Sequence, residues 1–416
     1  MAPACADRLG VAALTRMQVG GHDLRPLWLS LIDKLIAGTV EAGEGLDLSL
    51  IAQLLGDKPA GLAIQQQVLS SHQLFRLKDS PAQPRLRVLA LAAATDIGGN
   101  TPIEFLLAGS AIELMTLYVT PDVELPAPLP DHDIAIVIAS DSEDSRDALR
   151  KIERAAARWP RPLLNPPGRV GNLDRDKLHR LLGDVEGSKI EGSKIEGLEI
   201  PSTIGVSRAQ LLALSCAARA PAEFASELAF PIIVRPRGSH AGAGLAKVDD
   251  VVALARYLRE RQEQEFFISR FVDYSSDDGL FRKYRLAFVD GRPYACHLAI
   301  ADRWDIWYLN AGMSQSAGKR LEEENFMRAF DDGFARRHQV ALAGIAARIG
   351  LDYFTVDCAE TRSGSLLVFE ADNTAIVHDM DPVELFPYKQ TQMRKVFDAF
   401  IAMLERRAAQ QHERAA

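Results

Sequence analysis

Across residues 23–77 the apolar positions recur at helical spacing. Leu48, Ile51, Leu54 and Leu55 lead up to Gly56 and Pro59, and Ala60, Leu62, Ala63, Gln66 and Leu69 follow, which predicts two helices joined as a hairpin. One hairpin cannot bury both of its faces. It is expected either to pack as a cap on the rest of the chain or to offer a docking surface to a protein or peptide partner. Beyond a break at residues 79–84 the pattern changes to short apolar runs of β-character, 86–92, 112–119 and 134–139, separated by helical stretches. That alternation predicts parallel strands with crossover helices. The first run ends in a Gly-Gly loop, 95–102, readable as a plain turn or as a seat for a polar ligand at the following helix N-terminus.

Residues 186–195 read Glu-Gly-Ser-Lys-Ile twice and 196–200 read Glu-Gly-Leu-Glu-Ile, a five-residue period. A glycine in every copy argues against a helix. The near-identity reads as a duplication lengthening a surface loop, a change that costs little stability. From Pro201 the pattern predicts a helix over 208–218, a strand over 230–235, a helix over 251–261 and a strand over 266–271. A hairpin of 284–289 and 293–300 follows around Asp290-Gly291, a dipeptide suited to tight β-turns. A helix over 334–349 leads into a second hairpin, 353–359 and 365–372, and residues 406–416 read as frayed and solvated.

Composition narrows the class. With 416 residues, 47% hydrophobic and 25% charged, the chain is well outside disordered composition and can build two or three cores. Its 48 basic against 56 acidic residues leave a net charge of -8, which argues against a nucleic-acid partner or an anionic membrane surface. No apolar run is long enough to span a bilayer, and the first residues lack a signal pattern. Cys5, Cys216, Cys296 and Cys358 are too scattered for a metal knuckle or a disulfide framework, so a cytoplasmic location is expected.

The second hairpin carries the sharpest chemistry. A two-residue turn at Ser363-Gly364 would set Asp357 directly opposite Glu370, with Asp372 on the same face. Like charges placed opposite one another destabilise a hairpin, so either this is a solvated face or something cationic sits between the carboxylates. All-oxygen ligands without His or Cys point to Mg²⁺ or Mn²⁺. Upstream, the strand Phe230-Pro-Ile-Ile-Val-Arg235 runs into the glycine-rich Arg237-Gly-Ser-His-Ala-Gly-Ala-Gly244 and a further strand. In that arrangement backbone N–H groups of Gly238, Ser239, His240 and Gly242 can fold over phosphates while Arg235 points at their oxygens. The loop matches neither a dinucleotide fingerprint nor a P-loop. Trp304, Trp307, Tyr308 and Asn310 are readable as substrate lining or as packing, and His378 as a substrate contact or as structural.

Taken in order, the strand–loop–strand, the strand 266–272 with an acid beyond it, the Asp-Gly hairpin with Arg285, and Asp357 with Glu370-Ala-Asp372 resemble the ATP-grasp superfamily. The resemblance is to the branch of RimK-type carboxylate-amine ligases and glutathione synthases. The N-terminal hairpin resembles a tetratricopeptide-like unit. The fold implied is α/β and α+β: a helical region over 1–80, a Rossmann-like pre-ATP-grasp domain over 84–166, a central subdomain over 167–272, a C-terminal subdomain with the metal site over 273–405, and a flexible tail over 406–416. The resemblance implies that Lys177 and Arg235 reach ATP phosphates. It implies that backbone at Arg270, Phe271 and Val272 meets adenine, with Asp273 toward ribose, and that Arg285 stabilises the transferring phosphate. Asp357, Glu370 and Asp372 would hold Mg²⁺ or Mn²⁺; Asp372 stands where the family usually has Asn.

The function implied is an ATP-dependent carboxylate-amine ligase working through an acyl phosphate on amino-acid, peptide or other small carboxylate and amine substrates. The rival readings are a small-molecule kinase on the same scaffold and a nucleotide-sensing binding module without turnover.

Overall fold

The apolar runs of the middle of the chain become the inner strands of three sheets, and the polar breaks become their connections. A computed structural model describes residues 5–183, 195–239 and 242–415. His240 and residues 186–194 of the repeat lie outside the described residues.

The first sheet starts with strand β1 (Ala6–Arg8), followed by helices α1 (Val11–Val19), α2 (Arg25–Ile36), α3 (Ala42–Leu54) and α4 (Lys58–Leu69). Then come β2 (Leu74–Leu77), β3 (Leu86–Ala93), α5 (Ile103–Leu106), β4 (Ile112–Val119), β5 (Ile134–Val137), α6 (Arg146–Ala156) and β6 (Leu163–Leu164). The expected hairpin is α3 with α4: Glu41 and Glu44 form a capping box at the start of α3, and Asp57 caps α4 through Ala60 N. The expected parallel strands are β3, β4 and β5. The strand order is β1-β2-β4-β3-β5-β6. The first 80 residues therefore do not form a unit of their own, because β1 and β2 extend the sheet that β3 begins. Both strands are too short for their periodicity to stand out in the sequence.

After α7 (Pro167–Val170) and α8 (Arg175–Leu182) come β7 (Leu198–Glu199), β8 (Thr203–Ser207), α9 (Arg208–Ser215), β9 (Ile232–Pro236), β10 (Ala246–Val248), α10 (Val251–Arg259) and β11 (Glu265–Arg270). Strands β10-β9-β11-β8 form an antiparallel sheet with a core of its own around Val206, Leu211, Ile232, Val234, Leu254 and Phe266. The remaining elements are β12 (Phe281–Val289), β13 (Arg292–Ala301), α11 (Ala317–Arg328), α12 (Gln339–Ile349), β14 (Tyr353–Glu360), β15 (Leu366–Asp372) and α13 (Lys389–Ala415). Strands β13-β12-β14-β15-β7 make the third sheet. The chain thus has the expected α/β plus α+β class.

Two expectations are corrected. Residues 195–200 are not wholly a surface loop: Ile195 is buried against Gly344, and β7 pairs with Leu366 and Leu367 of β15. Residues 406–415 continue α13, with Arg406 and Arg407 both paired to Asp290 and Ala408 buried. The registry of charge and helix there comes from tertiary contact, which the polar composition of the segment does not reveal. No helix among the described residues is long and apolar enough to cross a membrane.

Candidate functional site

Strand alternation aims the site residues. On β9, Ile232 and Val234 turn into the core of the four-stranded sheet, which leaves Arg235 on the opposite face. On the five-stranded sheet, Arg285 lies opposite Asp357, and Asp357 lies opposite Glu370. Thr355 pairs with Asp372, which puts Asp372 on that face as well. The expected pairing of Asp357 with Glu370 is present, though not through the expected two-residue turn. Thr361 N closes a longer loop on Ser365 O, shifting the register by one, and a β-bulge beyond Cys358 shifts it back.

Asp357 is 2% exposed and fully committed. Its Oδ1 accepts from Arg285 Nε at 2.7 Å, and its Oδ2 accepts from Arg285 Nη2 at 3.0 Å and from Lys283 Nζ at 2.7 Å. Burial opposes the charge, yet Arg285 and Lys283 outweigh it and hold the Asp357 carboxyl well below the usual carboxylate range. Glu370 Oε2 accepts from Arg175 Nη2. Against the effect of its burial, Arg175 lowers Glu370 to about 2. Asp372 differs: its Oδ1 accepts from Thr374 N at 2.7 Å and Thr374 Oγ1 at 2.8 Å, and burial raises its pKa.

The oxygens of Asp357, one of the three carboxylates expected to hold a metal, are both taken by Arg285 and Lys283. Among the described residues no three His, Cys, Asp or Glu side chains group as a metal site. The compensating cations are the protein's own: Arg175, Lys283 and Arg285. Glu370 Oε1 and Asp372 Oδ2 make no hydrogen bond with the described residues. Those two oxygens suit an ion that brings phosphate and water ligands with it, as Mg²⁺ does, rather than an all-protein cage.

Arg235 completes the cationic group from the facing sheet. Its guanidinium donates to Ser239 Oγ, at 3.2 Å from Nε, and to Ser239 O, and it pairs with no carboxylate among the described residues. Burial and the neighbouring Arg175 charge push its pKa down to about 10. A half-buried cation beside another cation is an arrangement that favours an anionic partner.

The other expected residues divide. Lys177 is not in this group: its Nζ donates to Asp141 Oδ2 at 3.1 Å and Gly171 O at 2.7 Å, and the residue of α8 that enters the site is Arg175. Helix periodicity separates positions two apart by about 200°. Gly238 and Gly242 take positive φ of 73° and 75°, the left-handed conformation that lets this loop turn, and Ser239 caps Arg235. Arg270 Nη2 donates to Glu199 Oε1 at 2.5 Å, joining β11 to β7. Phe271 meets the Trp304 ring edge-on at 5.8 Å, with Lys247 Nζ 4.6 Å above it. Val272 packs beside Tyr274, and Asp273 accepts from Ser275 N at 2.9 Å, which lowers its pKa. Tyr308 donates to Asp381 and Asn310 caps Trp307 N, so both bind the loop in place, while His378 Nδ1 accepts from Met380 N. Lys283 and Arg175 were not singled out by sequence. Lys283 was readable, standing two positions before Arg285 on the same strand face; Arg175 required the placement of α8.

No protein-family model matches the chain, and no curated protein matches it. Among solved structures, the chain is similar to a RimK domain protein ATP-grasp from Sphaerobacter thermophilus at 18% identity, covering 76% of this chain and 99% of that one, with a TM-score of 0.41. It is similar to the D-alanine–D-alanine ligase from Bacillus anthracis complexed with ATP at 14% identity, covering 78% and 99%, with a TM-score of 0.46. A VanG D-Ala:D-Ser ligase from Enterococcus faecalis aligns at 11% identity over 77% and 100%, with a TM-score of 0.42.

Proposed function

We propose that the chain is an ATP-dependent carboxylate-amine ligase of the ATP-grasp kind, forming an amide or peptide bond through an acyl phosphate. The observation that carries this is the convergence of Arg175, Arg235, Lys283 and Arg285 on the Asp357–Glu370 pair, where cations outnumber committed carboxylates. That surplus matches a polyphosphate bound between the two sheets. Arg235 and the glycine-rich loop would hold its oxygens, and the backbone at Arg270, Phe271 and Val272 would meet the base, with Asp273 beside the ribose. Glu370 and Asp372 would hold Mg²⁺ or Mn²⁺ arriving with the nucleotide, which neutralises phosphate charge when bound.

Arg285 Nη1 makes no hydrogen bond with the described residues and is available to the moving phosphoryl group. The substrate carboxylate oxygen attacks the γ-phosphorus, and the bond from that phosphorus to ADP breaks. An amine then adds to the acyl carbon, the carbon–oxygen bond to phosphate breaks, and the amine loses its proton to the medium. Positioned cations stabilise the charge that builds up in both steps.

A screen of ADP release over amino acids and short peptides, offered as paired carboxylates and amines, tests this reading. A carboxylate labelled with oxygen-18 should pass one label to orthophosphate as the amide forms. A stable phosphorylated product would favour a kinase instead, and AMP with pyrophosphate would reject the acyl-phosphate route.

A further inference from the structure

His297 is the site-facing group that the chemistry above leaves unused. It lies opposite Arg285, which lies opposite Asp357, which lies opposite Glu370, so the four side chains form one row across β13, β12, β14 and β15. With neighbouring strands about 4.8 Å apart, the row is roughly 14 Å long. His297 belongs to it because of a β-bulge: the β12–β13 register shifts between Arg285 and Leu286, with Cys296 as the extra residue. Were the register to continue without the bulge, Cys296 would oppose Arg285 and the imidazole would face the other side of the sheet.

The ring is held but not satisfied. It packs 4.9 Å from the Tyr308 ring, and its Nδ1 is buried with no hydrogen-bond partner among the described residues. The charged groups around it are Arg285 and Lys283 from β12, Asp357 from β14, and Lys389 at the start of α13. Burial, then Arg285 and Lys389, push its pKa well below the ordinary value, so the ring is neutral at pH 7. Three of those four neighbours are cations, an environment that favours an oxygen ligand over an ammonium.

The row also has a direction. Arg175 and Arg235 gather at its Glu370 end, where the polyphosphate of the proposed function would lie. His297 stands at the opposite end, on the side of the group that receives phosphate. We propose that His297 contacts the acceptor substrate, donating Nδ1–H to an oxygen of its carboxyl group during phosphoryl transfer and again to the oxyanion formed when the amine adds. The ring gives up no proton; it supplies a fixed donor, and this role rests on the phosphoryl-transfer reading above.

The test uses the full chain, the non-hydrolysable nucleotide AMPPNP as the nucleotide probe, and ADP with acetyl phosphate as the acyl-phosphate probe. Ring nitrogen resonances of labelled histidine, assigned to His297 by their loss in His297→Asn, should shift when acetyl phosphate is added with ADP. His297→Ala should weaken acetyl phosphate about tenfold or more, as for a charge-assisted donor lost, while changing AMPPNP affinity by less than about twofold. His297→Asn, which keeps an amide nitrogen near Nδ1, should recover most of the loss, and His297→Phe, which fills the ring's space without a donor, takes the place of the alanine variant if that does not fold. If AMPPNP binds normally but adding acetyl phosphate with ADP gives no shift at His297, or if both probes lose affinity equally, the inference is overturned and the nucleotide site is left standing. Failure of AMPPNP to bind the wild-type chain sinks the nucleotide reading itself, and the inference with it.

Discussion

Arg285 grips Asp357 with both sides of its guanidinium, Nε to Oδ1 at 2.7 Å and Nη2 to Oδ2 at 3.0 Å, while Lys283 adds a third contact from the same strand. A fully buried carboxylate thus holds two cations at the spacing of one strand face. Removing that carboxylate leaves both cations without a partner.

Asp357→Asn is therefore expected to damage the fold as well as turnover. Breaking a buried pair by removing one partner costs about 3 to 5 kcal/mol. Thermal unfolding should show a clear fall in midpoint for Asp357→Asn, and Lys283→Met with Asp357→Asn together should fall less than the sum of the two. Wild-type stability in the single variant would mean that the pair carries no load.

Arg235→Ala and Lys177→Ala should separate in a nucleotide-binding titration. Loss of the Arg235 contact is expected to weaken AMPPNP by about 1.5 to 3 kcal/mol, roughly 10- to 150-fold. Lys177 is bonded to Asp141 and Gly171, so its removal should leave affinity within about twofold. The reverse ranking would move the phosphate site to the side of α8 that carries Lys177.

Acid should weaken the fold in a defined window. Glu370 sits at about 2 in the folded chain, against an ordinary glutamate near 4.3, so its stabilising charge is fully present above pH 4.3 or so and is lost as pH falls toward 2. Asp357 is shifted in the same direction, and Asp372, raised by burial, works against them. Urea midpoints measured from pH 6 down to 2.5 should fall more steeply for the wild type than for Glu370→Gln. Parallel slopes would remove Glu370 from the acid response.

The loop read from the sequence over 186–190 predicts that deleting this repeat copy shifts stability by less than about 1 kcal/mol, because closure entropy changes slowly with loop length. Deleting 186–195 should cost more, since it also removes Ile195, which is buried against Gly344. Melting temperatures of the two deletions decide this; equal values would return Ile195 to the surface.

Legibility followed the range of the interaction. Apolar runs marked β3, β4 and β14, which are buried along nearly their whole length, and apolar spacing marked β9, β12 and the α3–α4 pair. The opposition of Asp357 and Glu370 was readable for a partly fortuitous reason: the loop at 361–365 and the bulge beyond Cys358 displace the register in opposite senses. Neither offset has a signature in residue type. The exchange of Lys177 for Arg175 turns on how α8 rotates against the sheet, and the cations that pair with Asp357 come from another strand. Strands β1, β2 and β7, two to four residues each, leave no periodic trace.

The ion pair between Arg270 and Glu199 fastens together the two places where the backbone leaves one sheet for the other, β7 into β8 and β11 into β12. Two bodies joined by adjacent strands of chain share one short pivot line, and the four-stranded sheet carries its own core and so can turn as a unit. Any gap between the sheets then widens in proportion to distance from Arg270. Arg235, paired with Phe267 on the neighbouring strand, rides on the turning body, whereas Asp357 and Glu370 stay with the other. A rotation about that line would separate Arg235 from Glu370, so a ligand held by both, as proposed above, would bind with an affinity set by the angle between the sheets.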